Sequence, residues 1–206
     1  MSQMFYIHAD NPQTRLLEQV VYILKKGGVI AFPTDSGYAL GCLLDNKEGG
    51  AKIAQIRNLD KKHHFTLMCR DLAEISHYAY VNNSTFRLVK NNTPGCYVFI
   101  LQASKEVPRR LMNEKRKTIG LRIPDNQIDL QLLSLLDSPL MTTSLILPGD
   151  EFAQSDPQEI DDIIGHQLDA IIDSGHIGQQ PTTVVDLTEE YPVIIRKGSG
   201  DVSPFE

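Results

Sequence analysis

Hydroxyls, glycines and cationic side chains recur where the apolar, strand-like runs of this sequence end. Backbone amides of glycine-containing loops, Ser and Thr hydroxyls, and Arg and Lys side chains all bind anionic oxygens. Because strand ends form crevices on open α/β sheets, such segments are candidates for one shared anion-binding cavity. The alternative for each segment is an ordinary strand-end turn or a solvated helix end. The segments are residues 33–41, 57–64, 118–124, 141–144, and 181–186 together with 195–200.

Arg122 lies on an otherwise apolar strand-like run. It shares a strand face with Gly120, whereas Leu121 and Ile123 occupy the opposite face. A buried guanidinium is costly unless it pairs with a carboxylate or binds an anion. The sequence therefore predicts either an ion pair with an Asp or an anion site at Arg122.

A second group of cations, Arg57, Lys61 and Lys62, follows a predicted helix and could hold a polyphosphate. His63 and His64 come next, but adjacent residues point in different directions, so no metal site is predicted there. The sequence contains no Walker loop, no GxGxxG pattern and no serine–histidine–acid order.

A basic stretch near the middle of the chain is a candidate RNA-binding surface. Because no aromatic residues are interleaved with its cations, it is more typical of phosphate-backbone contact than of base recognition. An ordinary solvated loop is the alternative interpretation. The residues are Arg109, Arg110, Lys115, Arg116 and Lys117.

The totals suit one globular domain over residues 1–206, since two halves of this chain would each bury little. The net charge of −6 gives nucleic acid no attraction to the molecule as a whole. No apolar run approaches a membrane span and no leader is recognised, so a cytoplasmic location without membrane contact is expected. Cys42, Cys69 and Cys96 are scattered and are expected to be reduced thiols.

Helical and strand-like patterns alternate along the chain, and consecutive strands near its end favour a mixed sheet. The fold class predicted is α/β, with an α+β tendency, built on a single mixed sheet flanked by helices. Helices are predicted from Asn11 and Pro12 to residue 24 and at 46–57, 84–90, 128–136 and 157–164. Strands are predicted at 29–32, 65–69, 96–101, 118–123, 140–147, 170–173, 183–187 and 193–196.

Taken in order, these segments resemble the YrdC/YciO family over residues 7–200. The motifs that carry the resemblance are PTDSGYALG at 33–41, NNTPGCYVFIL at 91–101, IGLRIPDN at 119–126, PLMTTS at 139–144, DSGHIGQQPTTVVDL at 173–187 and IIRKGSG at 194–200. The resemblance implies a twisted mixed sheet curved around a large, positively charged cavity. In family members with known chemistry, that cavity forms threonylcarbamoyl-adenylate for tRNA modification from L-threonine, bicarbonate and ATP.

The resemblance also implies roles for individual residues. Thr34 and Tyr38 would line a threonine pocket in which Arg122 binds the carboxylate. Arg57 and Ser144 would be catalytic residues, with ATP entering together with Mg²⁺. Nucleotide contacts would come from Lys61, Lys62, Thr183 and Arg196.

Two departures from the catalytic members of the family predict weak or altered activity. Their Lys-x-Arg pair aligns with Arg57 and Leu59, and their Ser-x-Asn pair aligns with Ser144 and Ile146. Loss of a cation and an amide from a phosphate site removes charge-assisted hydrogen bonds. Two other hypotheses are a protein that binds tRNA or double-stranded RNA without catalysis, and a hydrolase of a related adenylate in which Asp60 orients a water.

Overall fold

The computed structural model describes residues 1–60 and 62–206 and contains one mixed sheet of eleven strands. The strands are β1 Gln3–Tyr6, β2 Ile30–Thr34, β3 Gly37–Leu43, β4 Thr66–Met68, β5 Ala79–Tyr80, β6 Tyr97–Ala103, β7 Thr118–Arg122, β8 Leu140–Ser144, β9 Ala170–Asp173, β10 Thr183–Asp186 and β11 Val193–Arg196. The sheet order is β1-β9-β2-β3-β8-β4-β7-β6-β10-β11, and β5 pairs with β6 beside this path. Parallel and antiparallel pairs alternate irregularly, which confirms the predicted mixed sheet.

Helices flank the sheet, and most begin at side chains that accept hydrogen bonds from the first free amides. Asn46, Asn82, Asn126 and Asp156 each cap a helix in this way, because a short polar side chain satisfies amides that lack intrahelical partners. The helices are α1 Thr14–Lys25, α2 Lys47–Arg57, α3 Leu72–Tyr78, α4 Asn83–Asn91, α5 Gln127–Leu136 and α6 Pro157–Ile164. None of the helices in residues 1–60 and 62–206 is long and apolar enough to cross a bilayer.

The first helix begins later than the sequence indicated. The imidazole Nδ1 of His8 accepts the amides of Asp10 and Asn11, and the Gln13 side chain accepts the amide of His8. These bonds close a turn over the residues that were predicted to start the helix. Pro12 therefore lies before α1, whose first residue is Thr14.

Two apolar cores fill the space between the sheet and its helices. The smaller core joins α1 and α5 to β1, β2 and β9 through residues such as Leu17, Leu132 and Phe32. The larger core lies behind the central strands and includes Phe99 and Leu121. Both are buried almost completely, so they fix the curvature and register of the strands in front of them.

No helix within residues 1–60 and 62–206 covers the face of strands β4, β7, β6 and β10 that lines the open side of the sheet. Along these strands alternate residues point to opposite faces. Leu67, Leu121, Phe99 and Val185 point into the larger core. Their neighbours Thr66, Gly120, Val98 and Val184 line the uncovered face, where Thr66 pairs with Gly120 and Val98 pairs with Val184. The result is an open, mostly apolar floor with polar strand ends around it.

The segment 33–41 is a hairpin arm and not the loop that the sequence suggested. Pro33 lies within β2 opposite Tyr38, and Gly37 begins β3 with a φ of +115°. A Cβ at Gly37 would lie 2.7 Å from the Cβ of Ala153, so glycine is required there for space as well as for conformation. Strands β1, β3 and β5 and helix α3 were not predicted.

Candidate active site

A cavity of about 490 Å³ opens above the uncovered face of the sheet. Its floor is apolar and is formed by strand residues such as Val98, Ile100 and Val184. Its rim is polar and comes from the loop after α2, the loop before β7 and the ends of β8 and β11. The lining side chains include Arg57, Lys62, His63, His64, Asn113, Arg116, Thr143, Ser144, Thr182 and Arg196.

A smaller pocket of about 40 Å³ adjoins this cavity. It is lined by Thr34 and Ser36 from the β2–β3 hairpin and by Arg122 at the end of β7. The two spaces share lining residues Thr66, Val98, Thr143, Ser144 and Thr182. The structure therefore brings Thr34, Arg122, Ser144, Arg57 and Arg196 to connected surfaces, although they are far apart in sequence.

Arg122 is 5% exposed and combines the two roles that the sequence left open. Its Nη2 donates to a carboxylate oxygen of Asp35, and its Nη1 lies 3.4 Å from the Ser36 hydroxyl. The other oxygen of Asp35 accepts the amide of Asp125 at 3.0 Å. The guanidinium is thus paired and also lines the smaller pocket, where N–H groups remain for a ligand.

Arg57 is held at the cavity edge by neutral groups. Its Nε donates to the Ile146 carbonyl at 3.0 Å, and its Nη1 donates to the Thr143 hydroxyl at 2.6 Å. Burial lowers the pKa of Arg57, because partial desolvation disfavours its charged form. Ser144 closes the same strand end and lines both the cavity and the smaller pocket.

Arg196 has a similar arrangement on the opposite side of the cavity. Its Nε donates to the Thr182 carbonyl at 2.9 Å, and its Nη2 donates to the Thr182 hydroxyl at 2.7 Å. Burial lowers its pKa as well. Within the described part of the chain, neither Arg57 nor Arg196 has a carboxylate within ion-pair distance.

Thr183 does not line the cavity, contrary to the prediction that it contacts the nucleotide. Strand alternation places Thr182 and Val184 on the cavity side of β10 and turns Thr183 away. The Thr183 hydroxyl donates to the Gly200 carbonyl at 2.7 Å and accepts the Gly198 amide at 3.0 Å. It anchors the turn after β11, whereas Thr182, which the sequence analysis did not single out, faces the cavity.

Tyr38 also lies away from the predicted threonine pocket. Its ring is completely buried in the larger core, and its hydroxyl donates to the Gly175 carbonyl at 2.9 Å. Burial raises the pKa of this hydroxyl to about 12. Tyr38 therefore ties the loop after β9 to β3, because its strand position directs the ring to the core face.

Of the two lysines predicted to contact the nucleotide, Lys62 lines the cavity rim. Lys61 lies outside the described residues. His63 and Asn113 also line the rim, although neither was predicted to contact the nucleotide.

The candidate RNA-binding residues are divided between different surroundings. Arg116 lines the cavity and pairs with Asp186 at 2.9 Å, whereas Arg110 donates to the Leu44 carbonyl. All five side chains are exposed. Arg110 and Arg116 also make contacts within the protein, so this segment does not present its cations to solvent alone.

Comparison with known proteins shows which family the chain belongs to. A model of the Sua5, YciO and YrdC proteins, described as "Telomere recombination", matches residues 22–198. The chain belongs to the Sua5/YciO/YrdC family. The resemblance inferred from the sequence motifs is confirmed by this match.

Members of the Sua5/YciO/YrdC family differ in their sequence identity to this chain. YciO of Escherichia coli (strain K12) is 60% identical over 205 residues, which cover all of both chains. The threonylcarbamoyl-AMP synthase of Vibrio vulnificus (strain YJ016) is 27% identical over 187 residues, which cover 88% of this chain and 98% of that protein. The chain is thus much more similar to YciO than to this synthase.

Solved structures of the family confirm the fold. The crystal structure of E. coli YciO superposes with a TM-score of 0.96 at 59% identity and covers both chains completely. The P. abyssi Sua5 structure complexed with L-threonine superposes with a TM-score of 0.87 at 22% identity, covering 96% of this chain and 58% of that one. The single mixed sheet flanked by helices is common to this family.

Proposed function

We propose that this protein binds MgATP in the larger cavity and L-threonine in the adjoining pocket, and that it forms threonylcarbamoyl-adenylate. The observation that carries the proposal is the direct connection between the pocket of Arg122 and the cavity edged by Arg57 and Arg196. A V. vulnificus relative is named threonylcarbamoyl-AMP synthase, and a structural neighbour from P. abyssi is complexed with L-threonine.

The charge state of the cavity favours an anionic ligand. Arg57 and Arg196 are both partly buried and fixed by carbonyl and hydroxyl groups, which orient a guanidinium without neutralising it. A guanidinium without a counter-ion in partly buried surroundings binds phosphate strongly, because screening by water is reduced. Of the described lining residues, none is Asp or Glu, so Mg²⁺ enters as part of the MgATP substrate.

The apolar floor suits the base of a nucleotide. Val98, Ile100 and Val184 form a surface on which a flat ring can pack, and Phe65 stands beside it. The volume of about 490 Å³ lies within the range of roughly 300–1,000 Å³ that small-molecule sites occupy. In this pose the phosphates would extend toward Arg57 and Ser144, at the junction with the smaller pocket.

The smaller pocket suits an amino-acid carboxylate and hydroxyl. Arg122 offers N–H donors to the carboxylate, and the hydroxyls of Thr34 and Ser36 are within the same pocket. Thr34 is itself fixed, because it donates to the Gly37 carbonyl at 2.6 Å and accepts the Ser36 amide at 3.0 Å. Fixed polar groups of this kind select a ligand by position.

The reaction follows from this placement. The threonine amine combines with bicarbonate to give a carbamate and water. A carbamate oxygen then attacks the α-phosphorus of ATP, and the bond to the bridging oxygen breaks to release pyrophosphate. The role of Arg57 and Arg196 is to stabilise the charge that develops on the phosphoryl oxygens, and the role of the smaller pocket is to hold the carbamate beside the α-phosphorus.

A slow reaction is expected. Ile146 lines the cavity with an apolar side chain at the position where catalytic members of the family carry the Asn of Ser-x-Asn. Its carbonyl still fixes Arg57, so the guanidinium keeps its place although the amide is lost. Leu59 replaces the second cation of the family's Lys-x-Arg pair.

The proposal is tested by measuring pyrophosphate release from ATP. We expect release that depends on both L-threonine and bicarbonate, and a decrease of about ten- to a hundredfold in Arg57→Ala and Arg122→Ala, since each loses charge-assisted hydrogen bonds. Arg15→Ala, on the exposed face of α1, is the matched control and should keep the rate. Release that does not depend on threonine would reject the proposal.

A further inference from the structure

The hydroxyl of Thr143 lies between two side chains that line the larger cavity. Arg57 Nη1 donates to it at 2.6 Å, and His63 Nε2 lies 3.2 Å from it. The three residues come from the end of α2, from β8 and from the loop before β4. Three separate segments therefore meet at one oxygen atom at the cavity edge.

Chemistry fixes the direction of one of these hydrogen bonds, and the partners available favour a direction for the other. A guanidinium only donates, so the Thr143 oxygen accepts from Arg57. Among the described residues, His63 Nε2 is the one group near the Thr143 hydroxyl that could accept its proton, although the hydroxyl oxygen could also accept from a protonated Nε2. The direction that uses the hydroxyl proton makes Nε2 the acceptor and places the proton of the neutral ring on Nδ1.

The surroundings of His63 keep the ring neutral. Its pKa is lowered to about 4, mainly by burial and then by the charges of Arg57 and His64, while Asp60 acts in the opposite direction. The ring of Phe65 meets it edge-on with a centroid distance of 5.5 Å. Ring position, charge and tautomer are therefore all determined by neighbouring groups.

We propose that His63 is a ligand-binding residue that donates its Nδ1–H to a phosphate oxygen of the bound nucleotide, next to Arg57. Among residues 1–60 and 62–206, no side chain or carbonyl accepts a hydrogen bond from Nδ1, although the ring lines the cavity. This inference rests on the proposed function. The donor stands close to Arg57, the cation of the family's Lys-x-Arg pair that this chain retains.

The tautomer is tested in the protein without ligand. Nitrogen-15 spectra distinguish protonated from unprotonated ring nitrogens, and we expect Nδ1–H for His63 at neutral pH. Thr143→Val removes the donor to Nε2, so the ring should shift toward the Nε2–H form that free imidazole side chains favour. A wild-type His63 protonated on Nε2 would overturn the inference without affecting the proposed function.

The donor role is tested by calorimetric titration with MgATP. His63→Ala should weaken binding by about three- to tenfold, the loss of one hydrogen bond. His63→Asn should stay within about twofold of wild type, because its amide N–H lies where Nδ1–H was. The control is His166→Ala, an exposed residue after α6.

The outcomes separate the two proposals. If wild type binds MgATP and His63→Ala binds it equally well, the role of His63 is rejected and the proposed function stands. If His63→Asn binds as weakly as His63→Ala, the Nδ1–H assignment is also rejected. Absence of MgATP binding to the wild-type protein would reject both.

Discussion

At the scale of single residues, the partner of each arginine indicates what it does. Arg116 and Arg122 pair with Asp186 and Asp35, so part of their charge is compensated inside the protein. Arg57 and Arg196 are instead held by neutral oxygens. A guanidinium that is oriented but has no counter-ion can bind an anion directly. We therefore expect these two residues to bind phosphate.

Asp129 provides a prediction about stability. This residue is 1% exposed at the start of α5, and neither carboxylate oxygen has a hydrogen-bond partner among the described residues. Burial raises its pKa well above the ordinary value, with the charge of Arg122 acting in the opposite direction. Because the unfolded state loses this proton at lower pH than the folded state, Asp129 costs stability progressively as the pH rises above about 4.

We therefore expect Asp129→Asn to raise the free energy of unfolding by about 1–3 kcal/mol at about pH 8, the cost of an unsatisfied buried group. At about pH 5 the gain should be smaller, since the wild-type carboxyl is then closer to its protonated state in both forms. Urea denaturation at both pH values measures this difference. Asp125→Asn, at an exposed neighbouring position, is the control, and an equal gain at both pH values would contradict the assignment.

Residue roles could be predicted from the sequence only where the strand face was also predicted. The position of Arg122 beside Gly120 on one face was inferred from alternation, and both residues line the connected cavities. Thr183 was assigned from the family resemblance, and although its strand was predicted to start at the correct residue, the face that each of the two adjacent threonines occupies was not predicted. Tyr38 was assigned to the wrong place for a related reason, since its strand had been interpreted as a loop.

At the scale of elements, the cavity exists because one face of the central strands is uncovered. Helices with clear periodicity and capping residues, such as α2 and α6, were predicted closely from the sequence. The hairpin arm β3 was not, because glycine and polar residues around position 37 are typical of loops and the pairing with β8 is long-range. Local signals determine helices, whereas the sheet depends on partners distant in the chain.

Gly120 allows a test of the cavity floor. A Cβ at this position would lie 3.0 Å from a methyl group of Val98 and 3.3 Å from the Thr66 hydroxyl, directly above the strand surface. We expect Gly120→Val to weaken MgATP binding at least tenfold, since the added methyl groups occupy the floor. Calorimetry measures the change, and circular dichroism checks that the fold persists.

The matched control is Gly178→Val. Gly178 lies on an exposed loop, and a Cβ there would meet no atom within 4 Å. This variant should bind MgATP as wild type does. Equal affinity in Gly120→Val and wild type would show that the nucleotide does not lie on this floor.

At the scale of the whole molecule, an acidic protein presents a cavity whose described lining carries cations and no carboxylate. The net charge of −6 belongs to surfaces elsewhere on the molecule, while Arg57, Lys62 and Arg196 edge the cavity. The general fold and the family could be predicted because several motifs occur in order along the chain. A shared cavity at the strand ends was predicted as well, but its division into a larger and a smaller space was not, because that depends on side-chain packing between distant strands.

The most direct test of the account is a crystal structure with L-threonine and a non-hydrolysable MgATP analogue. We predict the base on the floor formed by Val98, Ile100 and Val184, phosphate oxygens in contact with Arg57 and His63, and the threonine carboxylate at Arg122. The α-phosphorus should face the threonine amine across the shared lining at Ser144. Electron density for the nucleotide outside the cavity, or for threonine away from Arg122, would contradict the account.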